Sequence, residues 1–124
     1  MIGYVTLGTN DLKTAVAFYD RIAALLDTPR MMEGDTYVAW GTMEGGAGIG
    51  VMKPFDGNPA TVGNGVMVAL LARDEAHVKE IYETALANGG TDEGAPGPRG
   101  GGFYAAYFRD PDGNKLNAFT MNAG

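Results

Sequence analysis

The sequence predicts an α+β fold built from two successive βαβββ units. A strand, a helix and three further strands occur in the same order twice along the 124 residues. An offset of 63 residues aligns Asp11 with Asp74, and the later strands align at an offset of 67. Residues 54–63, which separate the units, are rich in proline and glycine, as expected of a linker. We therefore predict one domain with units at about 1–53 and 64–122, because neither unit could bury a core alone.

The first unit begins with an alternating β-prone strand at residues 2–8. Its pattern places Val5 and Leu7 on one face and Tyr4 and Thr6 on the other. The rest of the unit is predicted to contain a helix capped by Thr9 or Asn10 and ended by Pro29, then strands near 30–33, 36–42 and 47–53.

The second unit repeats this pattern after the linker. Asp74 is expected to cap its helix, which Asn88-Gly89-Gly90 ends. The offset of 67 aligns Tyr37 with Tyr104 in the later strands. The other predicted elements are a strand at 65–72, a short extended piece at 91–94, a loop at 94–102, and strands at 103–109 and 114–121 joined by the turn Asp110-Pro-Asp-Gly113.

The composition excludes several function classes. The chain has no cysteine and no serine, so thiolate metal sites and cysteine or serine nucleophiles are ruled out. A net charge of −6 argues against binding to nucleic acid or anionic membranes. The sequence has neither an apolar run of transmembrane length nor a signal-peptide pattern, so we expect a cytoplasmic protein. The one histidine, His77, is interpreted as a solvated helix residue.

Several short motifs make the sequence resemble the vicinal oxygen chelate superfamily of glyoxalases, bleomycin resistance proteins and extradiol dioxygenases. The resemblance covers essentially the whole chain, and its most specific motif is Phe108-Arg-Asp-Pro-Asp-Gly-Asn114. The other motifs are Tyr4-Val-Thr-Leu-Gly8, Asn10-Asp11-Leu12, Ala17-Phe18-Tyr19, Ala87-Asn-Gly-Gly90 and Gly94-Ala-Pro-Gly-Pro-Arg99. The resemblance implies two βαβββ modules whose curved mixed sheets enclose a cleft, and a tendency to form homodimers.

The resemblance also implies up to four strand residues that hold a divalent metal in the cleft. Those positions correspond here to Tyr4, Gly50, Met67 and Asn117. A phenol, a thioether and a neutral amide are poor ligands for the usual divalent metals, and glycine has no side chain. We therefore expect no metal cofactor.

Three functional hypotheses follow. The first is a metal-independent protein that binds a small, partly apolar organic molecule in the cleft. Its predicted ligand-binding residues are Tyr4, Trp40, Met67, Arg99, Tyr104 and Asn117. We expect Tyr4, Met67 and Asn117 to point into one cavity, and Arg99 either to clamp a carboxylate or to be a solvated loop residue. The second is a glyoxalase-like lyase, isomerase or dioxygenase with an atypical metal site or a metal-free mechanism. The third is an interaction module with an occluded cavity, which uses the family's tendency to dimerise.

Overall fold

A computed structural model describes residues 1–42 and 44–122 of the chain. It contains two helices and two four-stranded sheets in the predicted order, which confirms the α+β fold. The first unit comprises β1 (Tyr4–Gly8), α1 (Leu12–Leu25), β2 (Arg30–Glu33), β3 (Tyr37–Trp40) and β4 (Gly48–Met52). The second unit comprises β5 (Val68–Leu71), α2 (Glu75–Ala87), β6 (Thr91–Pro98), β7 (Phe103–Arg109) and β8 (Lys115–Met121).

The two sheets have the same topology. Sheet A has the strand order β1-β4-β3-β2, and sheet B has the order β5-β8-β7-β6. In each sheet the first strand of the unit pairs in parallel with the fourth, and the remaining pairs are antiparallel. One long edge of β1 and one of β5 are therefore without a partner strand within the described residues.

The two helices begin at equivalent aspartates. Asp74 caps α2 as predicted, by accepting a hydrogen bond from the backbone N–H of His77 at 2.8 Å. The prediction of Thr9 or Asn10 as the cap of α1 is wrong, because Asp11 occupies that position and accepts from the N–H of Thr14 at 3.2 Å. The hydrogen bonds from Thr14 lower the pKa of the Asp11 carboxyl. The same 63-residue offset thus locates both helix starts.

Strand β6 is longer than predicted, because residues 94–98, which were predicted as part of a loop, belong to the strand. The strand runs from Thr91 to Pro98 and pairs with β7 through two register shifts, one on either side of Gly94. Its prolines are tolerated because β6 lies at the edge of sheet B, where a missing N–H donor breaks no interior ladder. The loop proper is a turn whose Gly100, Gly101 and Gly102 all have positive φ.

Helix α1 joins the inner faces of both sheets in one core. The ring of Tyr19 packs 5.7 Å from that of Trp40 on sheet A, and the ring of Phe18 packs 6.5 Å from that of Phe108 on sheet B. Helix α2 packs against strands of sheet B and against α1. Each sheet consequently has an outer face turned away from the shared core. Neither helix is long and apolar enough to span a bilayer.

His77 is buried, which corrects its interpretation as a solvated residue. Its side chain is only 4% exposed and lies between the two helices. Nδ1 accepts a hydrogen bond from the N–H of Arg73 at 3.0 Å, and Nε2 lies 2.8 Å from the carbonyl of Leu25. Since a carbonyl can only accept, these partners select the neutral tautomer with the proton on Nε2. Both ring nitrogens are therefore used to join α2 to α1.

Tyr19 is the buried titratable group with the clearest consequence for stability. Burial, followed by the nearby charge of Asp110, raises the pKa of the Tyr19 hydroxyl well above its ordinary value. The folded chain thus holds this proton more tightly than the unfolded chain, so the stabilisation is complete below about pH 10 and is lost as the pH rises further. We expect urea midpoints to fall more steeply between about pH 9 and 11 in the wild type than in Tyr19→Phe. Equal slopes would contradict this expectation.

Candidate functional site

The outer face of sheet A forms a shallow apolar cleft. Strand pairing places Tyr4, Thr6, Tyr37, Ala39, Gly50 and Met52 on this face. These residues and Met32 line a cleft of about 300 Å³. A Cβ added at Gly50 would lie 3.3 Å from the Cβ of Ala39, so this position has little room for a longer side chain. The Tyr4 hydroxyl is the group here that sequence reasoning selected for orienting a ligand.

The outer face of sheet B contains Asn117, whose side chain is nearly fully buried. Asn117 pairs with Ala69 of β5 and Tyr107 of β7, which places the three side chains on one face. The residue is 1% exposed, and its Oδ1 atom has no hydrogen-bond partner among the described residues. A buried amide oxygen without a donor costs about 1–3 kcal/mol, so such atoms call for an explanation.

Two cationic side chains lie near the ring of Tyr107, which is the cross-strand neighbour of Asn117. The guanidinium carbon of Arg99 and the ammonium nitrogen of Lys115 are each 5.5 Å from the centroid of its ring. Arg99 also donates to the carbonyl of Ala95 at 2.7 Å. Within residues 1–42 and 44–122, neither cation forms an ion pair with a carboxylate. These unpaired charges make this face chemically different from that of sheet A.

Trp40 and Tyr104 lie on the inner faces of the two sheets. Trp40 is buried in the core, where its Nε1 donates to Asp20 at 2.9 Å. The hydrogen bonds from Arg30, and after them the one from Trp40, lower the pKa of the Asp20 carboxyl. Tyr104 pairs with Thr120 and is also buried on the helix side of sheet B. Both side chains therefore face the helices, opposite to Tyr4 and Asn117.

The structure distributes the predicted residues over three places. Tyr4 lines the cleft on sheet A, which does not include Met67 or Asn117. Trp40 lines a different cavity of about 290 Å³ between the sheets, and Met67 lines both that cavity and a cleft beside Lys115. Arg99 and Asn117 flank Tyr107 on sheet B. Within one chain, the expectation that Tyr4, Met67 and Asn117 share a cavity is not met.

Lys115 is a candidate residue that sequence reasoning missed. It stands two positions before Asn117 on β8, so strand alternation places both side chains on the same face. Lys115 also lines a cleft of about 490 Å³ with Met67, Arg109 and residues 62–66 of the chain. Applying the alternation outward from Asn117 would have identified Lys115 from the sequence.

A family model matches most of this chain. The model of the Glyoxalase/Bleomycin resistance protein/Dioxygenase superfamily matches residues 1–118. The chain belongs to this superfamily. The match confirms the resemblance expected from the sequence motifs. A search of curated proteins finds no match.

Solved structures of this superfamily share the fold over nearly the whole chain. A glyoxalase/bleomycin resistance protein from Albidiferax ferrireducens T118 is similar at 32% identity and a TM-score of 0.90, covering 98% of this chain and 99% of that one. A superfamily enzyme from Burkholderia phytofirmans PsJN has 18% identity and a TM-score of 0.78, with 97% and 98% covered. A lactoylglutathione lyase from Agrobacterium tumefaciens has 22% identity and a TM-score of 0.69, with 97% and 92% covered. The latter two show the fold alone.

The residues at the superfamily's metal-ligand positions do not fit a divalent metal. Tyr4, Met67 and Asn117 offer a phenol, a thioether and an amide, and Gly50 offers no side chain. The described residues contain no group of three or more His, Asp or Glu side chains placed to hold a metal ion. Both ring nitrogens of His77 are already hydrogen-bonded between the helices.

Proposed function

We propose that this chain is a cytoplasmic member of the superfamily that binds a small, partly apolar organic molecule without a catalytic metal. The observation that carries the proposal is the buried amide oxygen of Asn117, which has no hydrogen-bond donor on the described part of the chain. It lies among apolar and aromatic side chains on the outer face of sheet B, including Phe103 and Phe119, whose rings stack at 5.4 Å. This combination suits an organic ligand.

A bound ligand explains the unsatisfied oxygen of Asn117 better than packing within the fold does. The neighbouring β8 residues Leu116 and Ala118 pack into the core, whereas the Asn117 side chain contributes no hydrogen bond through its oxygen. An N–H or O–H group on a bound molecule would satisfy that oxygen and remove its desolvation cost. Ligand binding would thus offset the desolvation cost that the Asn117 oxygen carries in the free protein.

The proposed site is shared between two copies of the chain. Each sheet turns its outer face away from the core of its own chain, yet both faces expose apolar side chains, such as Tyr4 at 53% and Leu71 at 68%. The free edges of β1 and β5 add unpaired backbone groups beside these faces. A homodimer in which sheet A of one subunit faces sheet B of its partner would cover both faces and complete the cleft.

Leu71→Lys should convert such a dimer into a monomer. Leu71 lies on the exposed edge strand β5, and an ammonium group there would have to be desolvated at the interface. We expect light scattering to give twice the chain mass for the wild type and a single chain mass for the variant. Ala17→Lys, on the exposed side of α1, should remain dimeric. A monomeric wild type would contradict the shared site.

Binding is tested directly by thermal shift against a broad metabolite panel in the presence of a chelator. We expect at least one compound to raise the Tm of the wild type by several degrees, and to do so much less for Asn117→Leu. If no compound shifts the Tm, the ligand-free interaction module is the better account. Chelator-insensitive turnover of the methylglyoxal–glutathione hemithioacetal would instead favour an enzyme.

A further inference from the structure

We propose that the ligand of the outer face of sheet B is an organic anion that also carries an N–H or O–H donor. This inference rests on the proposed function and names the class of molecule it would take. Three features of the face support it: two cations without carboxylate partners, an unsatisfied acceptor and an apolar surface that continues beyond that acceptor.

The cations supply the charge selectivity. The chain has a net charge of −6, and among the described residues neither Arg99 nor Lys115 has a carboxylate partner that would neutralise it. The guanidinium carbon of Arg99 and the ammonium nitrogen of Lys115 are each 5.5 Å from the centroid of the Tyr107 ring. Because Lys115 also lines the 490 Å³ cleft beside residues 62–66, an anionic group in that cleft would meet its ammonium group. A carboxylate, sulfonate or phosphate would form charge-assisted hydrogen bonds with either cation.

Asn117 supplies the requirement for a donor. Its oxygen lies on the same face as Lys115, two residues further along β8, and directly across from Tyr107. An anion cannot satisfy this atom, because an amide oxygen only accepts hydrogen bonds. A ligand that carries an N–H or O–H group as well as its charge, as hydroxy acids and arylamine acids do, would satisfy this oxygen.

The remaining surface accommodates an apolar body. The stacked rings of Phe103 and Phe119 and the exposed side chain of Met121 continue the same face beyond Asn117. Aromatic and methionine side chains favour planar apolar groups. Leu71, which pairs with Phe119, extends the apolar area to the edge strand.

The simpler role for Arg99 and Lys115 is to hold Tyr107 and the β6–β7 hairpin in place. A matched pair of fluorescent probes separates the two roles. 1-Anilinonaphthalene-8-sulfonate has an aromatic body, an arylamine N–H and a sulfonate, and N-phenyl-1-naphthylamine differs from it only by lacking the sulfonate. Binding of the neutral probe tests the proposed apolar site, whereas preference for the anionic probe tests the present inference.

We expect the wild type to bind the anionic probe at least about tenfold more tightly than the neutral one at low salt. Lys115→Met and Arg99→Met should each weaken binding of the anionic probe about three- to tenfold and leave the neutral probe unchanged. Lys79→Met, on α2, is the matched control and should alter neither affinity.

Equal affinities for the two probes in the wild type would overturn the anion inference while leaving the proposed function intact. Unchanged affinity for the anionic probe in both methionine variants, with unchanged Tm, would overturn it as well. A lower Tm in those variants without a change in relative probe affinity would assign the cations to holding Tyr107. Failure of both probes to bind would count against the proposed function itself.

Discussion

Asp110→Ala should lower the free energy of unfolding by about 3–4 kcal/mol. Asp110 is 2% exposed, and its carboxylate accepts four hydrogen bonds. Tyr19 donates from α1 at 2.7 Å, and the backbone and side chain of Asn114 donate at 2.9 Å. The fourth donor is the N–H of Asp112. Removing the carboxylate leaves several buried donors unpaired.

The same substitution should also weaken the contact between the two βαβββ units. The Asn114 side chain, held by Asp110, donates to the carbonyl of Gly8 at the end of β1. We expect the Tm to fall by roughly 10–20 °C in a calorimetric or fluorescence melt. Asp35→Ala, an exposed carboxylate in the β2–β3 turn, should change the free energy of unfolding by less than about 0.5 kcal/mol. A similarly small effect for Asp110→Ala would show that the network contributes little.

Asn117→Leu should stabilise the fold while it weakens ligand binding. The substitution removes a buried acceptor that lacks a partner and replaces it with an apolar group of similar size. We expect urea unfolding to show a gain of about 1 kcal/mol, and binding of 1-anilinonaphthalene-8-sulfonate to weaken about tenfold. Opposite effects on stability and binding are typical of a residue kept for function.

The control for Asn117→Leu is Asn58→Leu, in the exposed segment before Ala60. This substitution should leave probe affinity unchanged. If Asn117→Leu instead destabilised the protein by more than about 1 kcal/mol, the amide would have a structural role and the argument for a ligand would fail. Unchanged probe affinity would contradict the placement of the site on sheet B.

The sequence predicted the fold well because the repeat and the strand alternation are local patterns. Val5 and Leu7 face the core and Tyr4 and Thr6 face outward, as expected from the first strand. The aspartate cap of the second helix was also predicted, and its equivalent, Asp11, follows from the same offset.

The candidate site was predicted less well, because a register difference of one residue reverses the face of every side chain in a strand. The offset of 67 is correct for β4 and β8, where Gly50 and Asn117 both face outward. It is wrong by one residue for β3 and β7, since Tyr37 faces outward and Tyr104 faces the helices. The sequence of β7 alone does not show which β8 residue pairs with Tyr104. That pairing decides which face of the sheet the Tyr104 side chain occupies.

The separation of the predicted residues could not be found from the sequence for a second reason. Whether two sheets turn their outer faces toward each other depends on how the helices pack between the units. Here α1 contacts Trp40 on one sheet and, through Phe18, Phe108 on the other. Those long-range contacts place both inner faces on one core and leave both outer faces turned away from it.

Metal content per subunit tests the central claim of a metal-free site most directly. The protein would be produced in medium supplemented with divalent metals, purified without chelator, and measured by inductively coupled plasma mass spectrometry. We expect well under one metal ion per subunit, because Tyr4, Gly50, Met67 and Asn117 provide no suitable ligand set. One divalent ion per subunit in the wild type, lost in Asn117→Leu, would contradict the claim.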